Sequence, residues 1–84
     1  VLDFINSTPQ VKRILEYCIS PKLRNEIQLF IGLSDRKYFS KVFLAPLINF
    51  NLVEMTMPEK PKSSKQKYTT SNLGKQILKD ILIL

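Results

Sequence analysis

The sequence predicts a mostly α-helical domain that carries one small β-hairpin. Apolar residues recur at helical spacing in four segments, and a short alternating run precedes a lysine-rich loop. The chain has 84 residues, enough for one domain with a simple core. We expect residues 1–8 to be a connector from a preceding domain of a longer parent protein, and residues 9–84 to form the domain itself.

The first predicted helix begins at Thr8 and Pro9, since Thr is a good N-cap residue and Pro is tolerated in the first turn. Ser20 and Pro21 end it. Its buried face has the spacing i, i+3, i+4, i+7 and i+8 and consists of Val11, Ile14, Leu15, Cys18 and Ile19. The second helix is predicted over residues 22–31, with one apolar face formed by Leu23, Ile27, Phe30 and Ile31.

A turn at Gly32-Leu33-Ser34 separates the second and third predicted helices. Gly32 is expected to end one helix in the left-handed conformation, and Ser34 is expected to cap the next. Two short helices joined by a short turn that contains glycine form the helix-turn-helix arrangement.

The third predicted helix has a mixed character. Lys37, Ser40 and Lys41 point away from its apolar face, which consists of Phe39, Val42, Phe43, Leu47 and Phe50. Leu44 and Ile48 fall on the side of Lys37 and Lys41, so the first half is expected to be exposed and the second half buried. Because Pro46 removes a helix hydrogen bond, we predict a bend or break at Ala45-Pro46.

Asn51 is expected to end the third helix in the left-handed conformation. The alternating run "LVEMTM" and the segment "KYTT" predict two strands, and the polar loop "PEKPKSSKQK" joins them. Ser71 is expected to cap a last helix, with an apolar face formed by Leu73, Ile77, Leu78, Ile81 and Leu82. This order is that of a winged helix-turn-helix, with a three-helix core, a two-stranded wing and a C-terminal helix.

Several function classes have little support in the composition. The chain lacks histidine, the commonest general base and metal ligand, and its one cysteine, Cys18, lies on an apolar stripe. We therefore expect no catalytic residue, no metal site and no cofactor, and we do not expect an enzyme. No apolar run approaches the length of a membrane span. A single cysteine that cannot form an internal disulfide fits a cytoplasmic location.

The positive charge is concentrated in one segment. The chain carries a formal net charge of +6 at pH 7, and residues 36–67 hold seven of its basic residues against Glu54 and Glu59. Charge gathered in this way indicates a polyanionic partner.

Double-stranded DNA is the partner that this pattern favours. The candidate contacts in the third helix are Arg36, Lys37, Tyr38, Ser40 and Lys41, because the second helix of a helix-turn-helix enters the major groove. The candidate contacts in the loop are Lys60, Lys62, Ser63, Ser64, Lys65 and Lys67, with Gln66 as an added donor to phosphate.

Each of these sets also has a purely structural interpretation. The helix residues could be an ordinary solvated face, and the lysines could belong to an ordinary soluble hairpin tip. Arg36 could pair with Glu26 or Asp35 instead of DNA. Tyr38 could cover the edge of the core instead of contacting phosphate.

The segment "GLSDRKYFSKVFLAPLINFNLVEMTMPEKPKSSKQKY" resembles the winged-helix domain at the C-terminal end of bacterial Fic-type proteins. It is also similar to that domain in transcriptional regulators described as RecG-like, helicase-related proteins. The tail "YTTSNLGKQIL" is similar to the ending of many winged helices. The chain departs from the pattern at Asn51, where Gly is usual, and at Thr69, where an apolar residue is usual. The resemblance implies a DNA-binding or regulatory module attached to another domain.

Two functions remain open at this point. One is a DNA-binding module of a bacterial regulatory protein, and the other is a protein-docking or regulatory module attached to an enzyme domain. The apolar tail that ends in Leu82, Ile83 and Leu84 also suggests a weak homodimer through the terminal helices.

Overall fold

The structure is a computed structural model that describes residues 8–83, with side chains described for residues 8–80. The first helix, α1, spans Pro9–Tyr17, and a short strand β1 spans Lys22–Leu23. Helix α2 spans Arg24–Phe30. The third helix, α3, consists of three consecutive segments, Arg36–Phe39, Ser40–Leu44 and Ala45–Asn49. Strands β2 and β3 span Val53–Met55 and Lys67–Thr70, and helix α4 spans Asn72–Ile83.

Some of the predictions concern residues outside this range. The predicted connector at residues 1–8 lies outside the described residues except for Thr8. The same holds for the side chains of Leu82, Ile83 and Leu84, on which the expectation of a dimer depends. No helix within residues 8–83 is long and apolar enough to cross a membrane.

The buried face of α1 is the one that its spacing predicts. Val11, Ile14, Leu15 and Cys18 are all buried. Thr8 is the N-cap residue, although its side chain makes no capping hydrogen bond. Ile19 is 53% exposed, which contradicts its predicted place in the core. The reason is that α1 ends at Tyr17, two residues before the stripe does.

The second predicted helix begins two residues too early. Lys22 and Leu23 form a strand that pairs antiparallel with β3, in the register Lys22↔Tyr68 and Leu23↔Lys67. Helix α2 follows directly, and the Leu23 N–H donates to Glu26 Oε1 at 2.7 Å. Phe30 was predicted to be core but is 39% exposed. Gly32 ends the segment at φ 77°, as predicted.

Helix α3 differs from prediction in its N-cap residue and in the position of its irregular turn. Its N-cap is Asp35, not Ser34, and the Tyr38 N–H donates to Asp35 Oδ1 at 3.0 Å. The backbone does not break at Ala45-Pro46, since Leu44 and Ala45 keep helical dihedral angles. The irregularity lies one turn earlier, as a π-helical turn over Ser40–Leu44. One residue, Ala45, separates this turn from Pro46, which has no N–H to donate.

The face that α3 turns inward is largely the predicted one. Phe39 and Leu47 are fully buried, Phe43 is nearly so, and Phe50 is an exception at 37% exposed. Leu44 is buried and Ile48 packs partly buried against the core, so the second half of the helix is covered as predicted.

The sheet has three antiparallel strands in the order β1-β3-β2. Strand β2 pairs with β3 as Val53↔Thr70, Glu54↔Thr69 and Met55↔Tyr68. Asn51 precedes this hairpin with φ 60°, so it provides the predicted left-handed stop. Together, these elements make a mostly helical domain with a small sheet at one side of the helical core.

Two threonines of the central strand, β3, form hydrogen bonds to the end of α1. The Thr70 N–H donates to Cys18 O at 2.8 Å, and Thr70 Oγ1 donates to Leu15 O at 2.6 Å. Thr69 Oγ1 also donates to Cys18 O, at 3.1 Å. These bonds satisfy carbonyl groups at a helix end that have no partner within the helix. Thr69 therefore holds the strand by hydrogen bonding where an apolar residue would use packing.

Candidate nucleic-acid interface

A groove of about 590 Å³ lies between the start of α2, the exposed side of α3 and the loop that joins β2 to β3. Tyr68 of β3 and Leu44 of α3 also line it. The remaining lining residues are Leu23, Arg24, Asn25, Arg36, Ser40, Pro61, Lys62, Ser63, Ser64 and Gln66. The groove therefore joins parts of the chain that are far apart in sequence.

The groove brings together predicted contacts from both candidate sets. Arg36 and Ser40 come from α3, whereas Lys62, Ser63 and Ser64 come from the loop. The other predicted contacts do not line it, although all of them are exposed: Lys37, Tyr38, Lys41, Lys60, Lys65 and Lys67. Five of the predicted contacts thus line one groove, and their role in binding stays a prediction.

The π-helical turn explains how α3 lines the groove along its length. Arg36, Ser40 and Leu44 are spaced four residues apart, and all three line the groove. In a regular α-helix such residues drift around the axis by about 40° at each step. The turn at Ser40–Leu44 is wider, since the Ala45 N–H donates to Ser40 O instead of the carbonyl four residues back. The wider turn reduces the drift and keeps these side chains on one side.

The electrostatic character of the groove is uniformly positive among the described residues that line it. Arg24, Arg36 and Lys62 are cationic, and none of the lining residues is acidic. Because phosphate oxygens are recognised by Arg and Lys side chains and by hydroxyl and backbone donors, this lining suits an anionic ligand.

Arg36 does not pair with either of the carboxylates considered for it. Glu26 accepts from the Leu23 N–H at 2.7 Å, and Asp35 accepts from the Tyr38 N–H at 3.0 Å. In the part of the chain that the structure describes, no ion pair joins Arg36 to Glu26 or Asp35. Its exposed guanidinium is therefore available to a ligand.

Two groove residues, Arg24 and Asn25, are not among the contacts that the sequence predicts. Arg24 Nη1 donates to Gln28 Oε1 at 2.7 Å, so its side chain is held along α2. Both residues lie in the first turn of α2, which was predicted to begin earlier. The available signal was Arg24 itself, a basic residue in the first helix of the predicted helix-turn-helix.

The loop between β2 and β3 is folded, not extended. Three successive turns cross it, in which the Lys60 N–H donates to Met57 O, the Ser63 N–H to Lys60 O and the Gln66 N–H to Ser63 O. Gln66, predicted as a donor to phosphate, is only 4% exposed, and its amide bonds within the loop. That prediction is wrong, because the groups it would offer to a ligand are already engaged.

Tyr38 lies at the edge of the core, which agrees with the structural interpretation of this residue. Its ring is 49% exposed and meets the Phe43 ring edge-on, with centroids 6.2 Å apart and planes at 71°. This geometry is favourable for an aromatic pair. Tyr38 therefore covers one side of Phe43 and leaves about half of its own surface to solvent.

Cys18 has the properties of an inert core thiol. Burial raises its pKa to about 12, and the nearby positive charge of Lys22 opposes that shift only in part. Among the described residues, no group of three or more His, Cys, Asp or Glu side chains is arranged to hold a metal ion.

The family model for the Filamentation induced by cAMP protein Fic-like, C-terminal domain matches residues 9–71 of this chain. The chain belongs to this Fic-like C-terminal domain family. A crystal structure of a Fic family protein from Desulfovibrio desulfuricans G20 superimposes with a TM-score of 0.66 at 30% sequence identity. That match covers 77% of this chain and 20% of the Desulfovibrio protein, which is therefore much longer than this chain. Among curated proteins, none matches the chain.

The resemblance to Fic-type proteins that the sequence suggested is therefore confirmed. The similarity to RecG-like regulators stays a prediction.

Proposed function

We propose that this Fic-like C-terminal domain is a winged helix-turn-helix that binds double-stranded DNA for the larger protein to which it belongs. The observation that supports this most strongly is the groove between α3 and the loop 56–66. It is lined by Arg24, Arg36 and Lys62 and, among its described lining residues, by no acidic side chain. A concave surface of one sign concentrates an oppositely charged ligand and speeds its association.

The proposed pose combines the groove with exposed predicted contacts that lie outside it. The first half of α3 enters the major groove, where Lys37, Ser40 and Lys41 face bases or phosphates. The loop, with Lys62 at the groove and Lys60, Lys65 and Lys67 exposed around it, lies along the adjacent sugar-phosphate backbone. Contacts to phosphate set the orientation of the domain, and contacts to base edges set its sequence preference.

Docking of a protein is the second candidate function, and one surface favours it. An apolar notch of about 290 Å³ lies between the end of α1 and helix α4, lined by Ile19 and Leu78 together with Glu16, Lys75 and Lys79. Against docking on α3, Leu44 is buried and Ile48 is half-buried. The two candidate surfaces are therefore distinct and can be tested separately.

The test of the proposed function compares two double variants with equal net charge. Arg36→Gln/Lys62→Gln removes two cations from the groove, and Lys75→Gln/Lys79→Gln removes two from the α4 side. Binding to a labelled random duplex is measured by fluorescence anisotropy at several salt concentrations. We expect the groove variant to bind more weakly and to flatten the salt slope by about two, or about one for each phosphate contact.

The control variant should keep nearly all of the wild-type affinity. An equal loss in both variants would mean that only the net charge matters and would contradict a site in the groove. If wild type and both variants bind no duplex at low salt, DNA binding is refuted and the docking surface becomes the leading candidate.

Substitutions in helix α3 and in the loop should also weaken DNA binding in different ways. Lys62→Ala/Lys65→Ala is expected to weaken binding to all sequences alike, because phosphate contacts carry no base information. Lys41→Ala or Ser40→Ala is expected to change the preference among sites as well, if those side chains reach base edges. A panel of duplexes with different sequences, titrated in parallel, separates these outcomes.

A further inference from the structure

The loop between β2 and β3 has a buried polar centre. Gln66 Oε1 accepts from the Met57 N–H at 2.8 Å, and Gln66 Nε2 donates to Lys60 O at 3.1 Å and also to Met57 O. Thr56 Oγ1 lies 3.4 Å from the same Oε1. The Gln66 side chain, at one end of the loop, thus bonds both to Met57 at the other end and to the Lys60 carbonyl group between them.

Apart from Gln66, the loop is held by its backbone turns and by a hydrogen bond from the Lys65 N–H to Ser63 Oγ at 3.1 Å. Pro58, Glu59, Lys60, Pro61 and Lys62 are all exposed, so no apolar side chain of that segment packs inside it. Backbone turns alone are weak constraints, because each contributes a single hydrogen bond of modest net free energy. Gln66, at 4% exposure, takes the place that a small apolar core would have in a longer hairpin.

We propose that Gln66 is a positioning residue for DNA binding, which holds the loop in the shape that presents Lys62, Ser63 and Ser64 to the groove. Its effect on affinity rests on the proposed function, whereas its effect on loop order does not. A loop ordered before binding loses less conformational freedom when it contacts phosphate. The amide does not contact the ligand and acts through the three residues that it holds in place.

The first test replaces Gln66 with methionine, which has nearly the same size and cannot form these hydrogen bonds. We expect Gln66→Met to expose the amides of Met57, Lys60 and Ser63 to faster hydrogen exchange. Duplex affinity should fall roughly tenfold, the cost of ordering a few mobile side chains on binding. Lys62→Ala is the matched control, since it should lose affinity and keep the exchange protection of the loop.

The second test uses Gln66→Glu, which keeps the size and adds a titratable group. At neutral pH its carboxylate cannot donate to Met57 O or Lys60 O, whereas the protonated acid can donate to one of them. Its affinity relative to wild type should therefore be low at pH 7 and recover as the pH falls toward 4.5. The other titratable side chains around the loop are exposed and are common to both proteins: Glu54, Glu59, Lys60, Lys62, Lys65 and Lys67. Arg24 and Arg36 face the loop across the groove and remain charged throughout.

The outcomes separate the positioning role from the proposed function. Normal exchange protection or unchanged affinity in Gln66→Met, or no recovery of Gln66→Glu at low pH, would overturn the positioning role. If wild type binds no duplex, the proposed function and the effect of Gln66 on it are both refuted. In that case the exchange measurement still decides whether Gln66 orders the loop.

Discussion

Gly74 of helix α4 lies close to the backbone of Leu52, and its replacement by alanine should be destabilising. A Cβ atom at this position would lie 2.5 Å from Leu52 O and 2.7 Å from Thr70 Cγ2. Neither neighbour moves easily. Leu52 O accepts the Ser71 N–H at 2.9 Å, and Thr70 is fixed by its hydrogen bond to Leu15 O at 2.6 Å.

The expected size of the effect follows from two opposing terms. Overpacking of this kind costs about 1–3 kcal/mol, whereas alanine in place of glycine favours a helix by up to about 1 kcal/mol. The net loss in the free energy of unfolding for Gly74→Ala is then about 1–2 kcal/mol. For a domain of this size that corresponds to a Tm lower by roughly 5–15 °C.

Thermal and urea unfolding followed by circular dichroism would measure this difference. Lys75→Ala is the matched control, because Lys75 is exposed one position further along the same helix. Its stability should stay within about 0.5 kcal/mol of wild type. A Gly74→Ala protein as stable as wild type, or more stable, would refute the close approach of α4 to Leu52.

Three further predictions concern the cap, the central strand and the thiol. Asp35→Ala should lower the free energy of unfolding by about 1 kcal/mol and Ser34→Ala by almost nothing, since only Asp35 caps α3; equal losses in urea unfolding would contradict this. Thr70→Val should cost about 1–3 kcal/mol, because it leaves the buried Leu15 O without its donor; a neutral effect would show that this bond contributes little. With a pKa raised to about 12, Cys18 should have roughly one thiolate in 10,000 molecules at pH 8. Iodoacetamide should therefore label it only in denaturant, and rapid labelling of the native protein would contradict its burial.

The sequence was a good guide to the middle of each long apolar stripe and a poor one to its ends, where Ile19, Phe50 and Leu73 are exposed. The stripe from Val11 to Cys18 and the α3 residues Phe39, Phe43 and Leu47 are buried as predicted. Asn51 and Gly32 have the positive φ values expected of them. These features depend on local chemistry, which can be read from a few neighbouring residues.

Features that depend on distant partners were missed. Strand β1 contains only Lys22 and Leu23, too few residues to show alternation, and it exists because β3 pairs with it. In the same way, Phe30 continues the apolar face of α2, yet its ring stacks on Tyr17 at 4.1 Å near the surface instead of entering the core.

The candidate site was predicted only in part, because the positions of some of its residues also depend on distant contacts. Charge placement and the helix-turn-helix pattern pointed to Arg36, Ser40 and Lys62, which line the groove. Arg24 was missed because its position depends on where α2 begins. The role of Gln66 was misjudged because its burial arises from a loop closing around it, and composition alone shows only a polar residue among lysines.

The salt dependence of duplex binding tests the central claim most directly. The measurement is the dissociation constant of the wild-type domain for a random duplex, from low to moderate salt. If about five basic residues meet phosphates, log K should fall with log salt at a slope near −4 to −5. A domain that shows no salt-dependent affinity for duplex DNA even at low salt would contradict the claim.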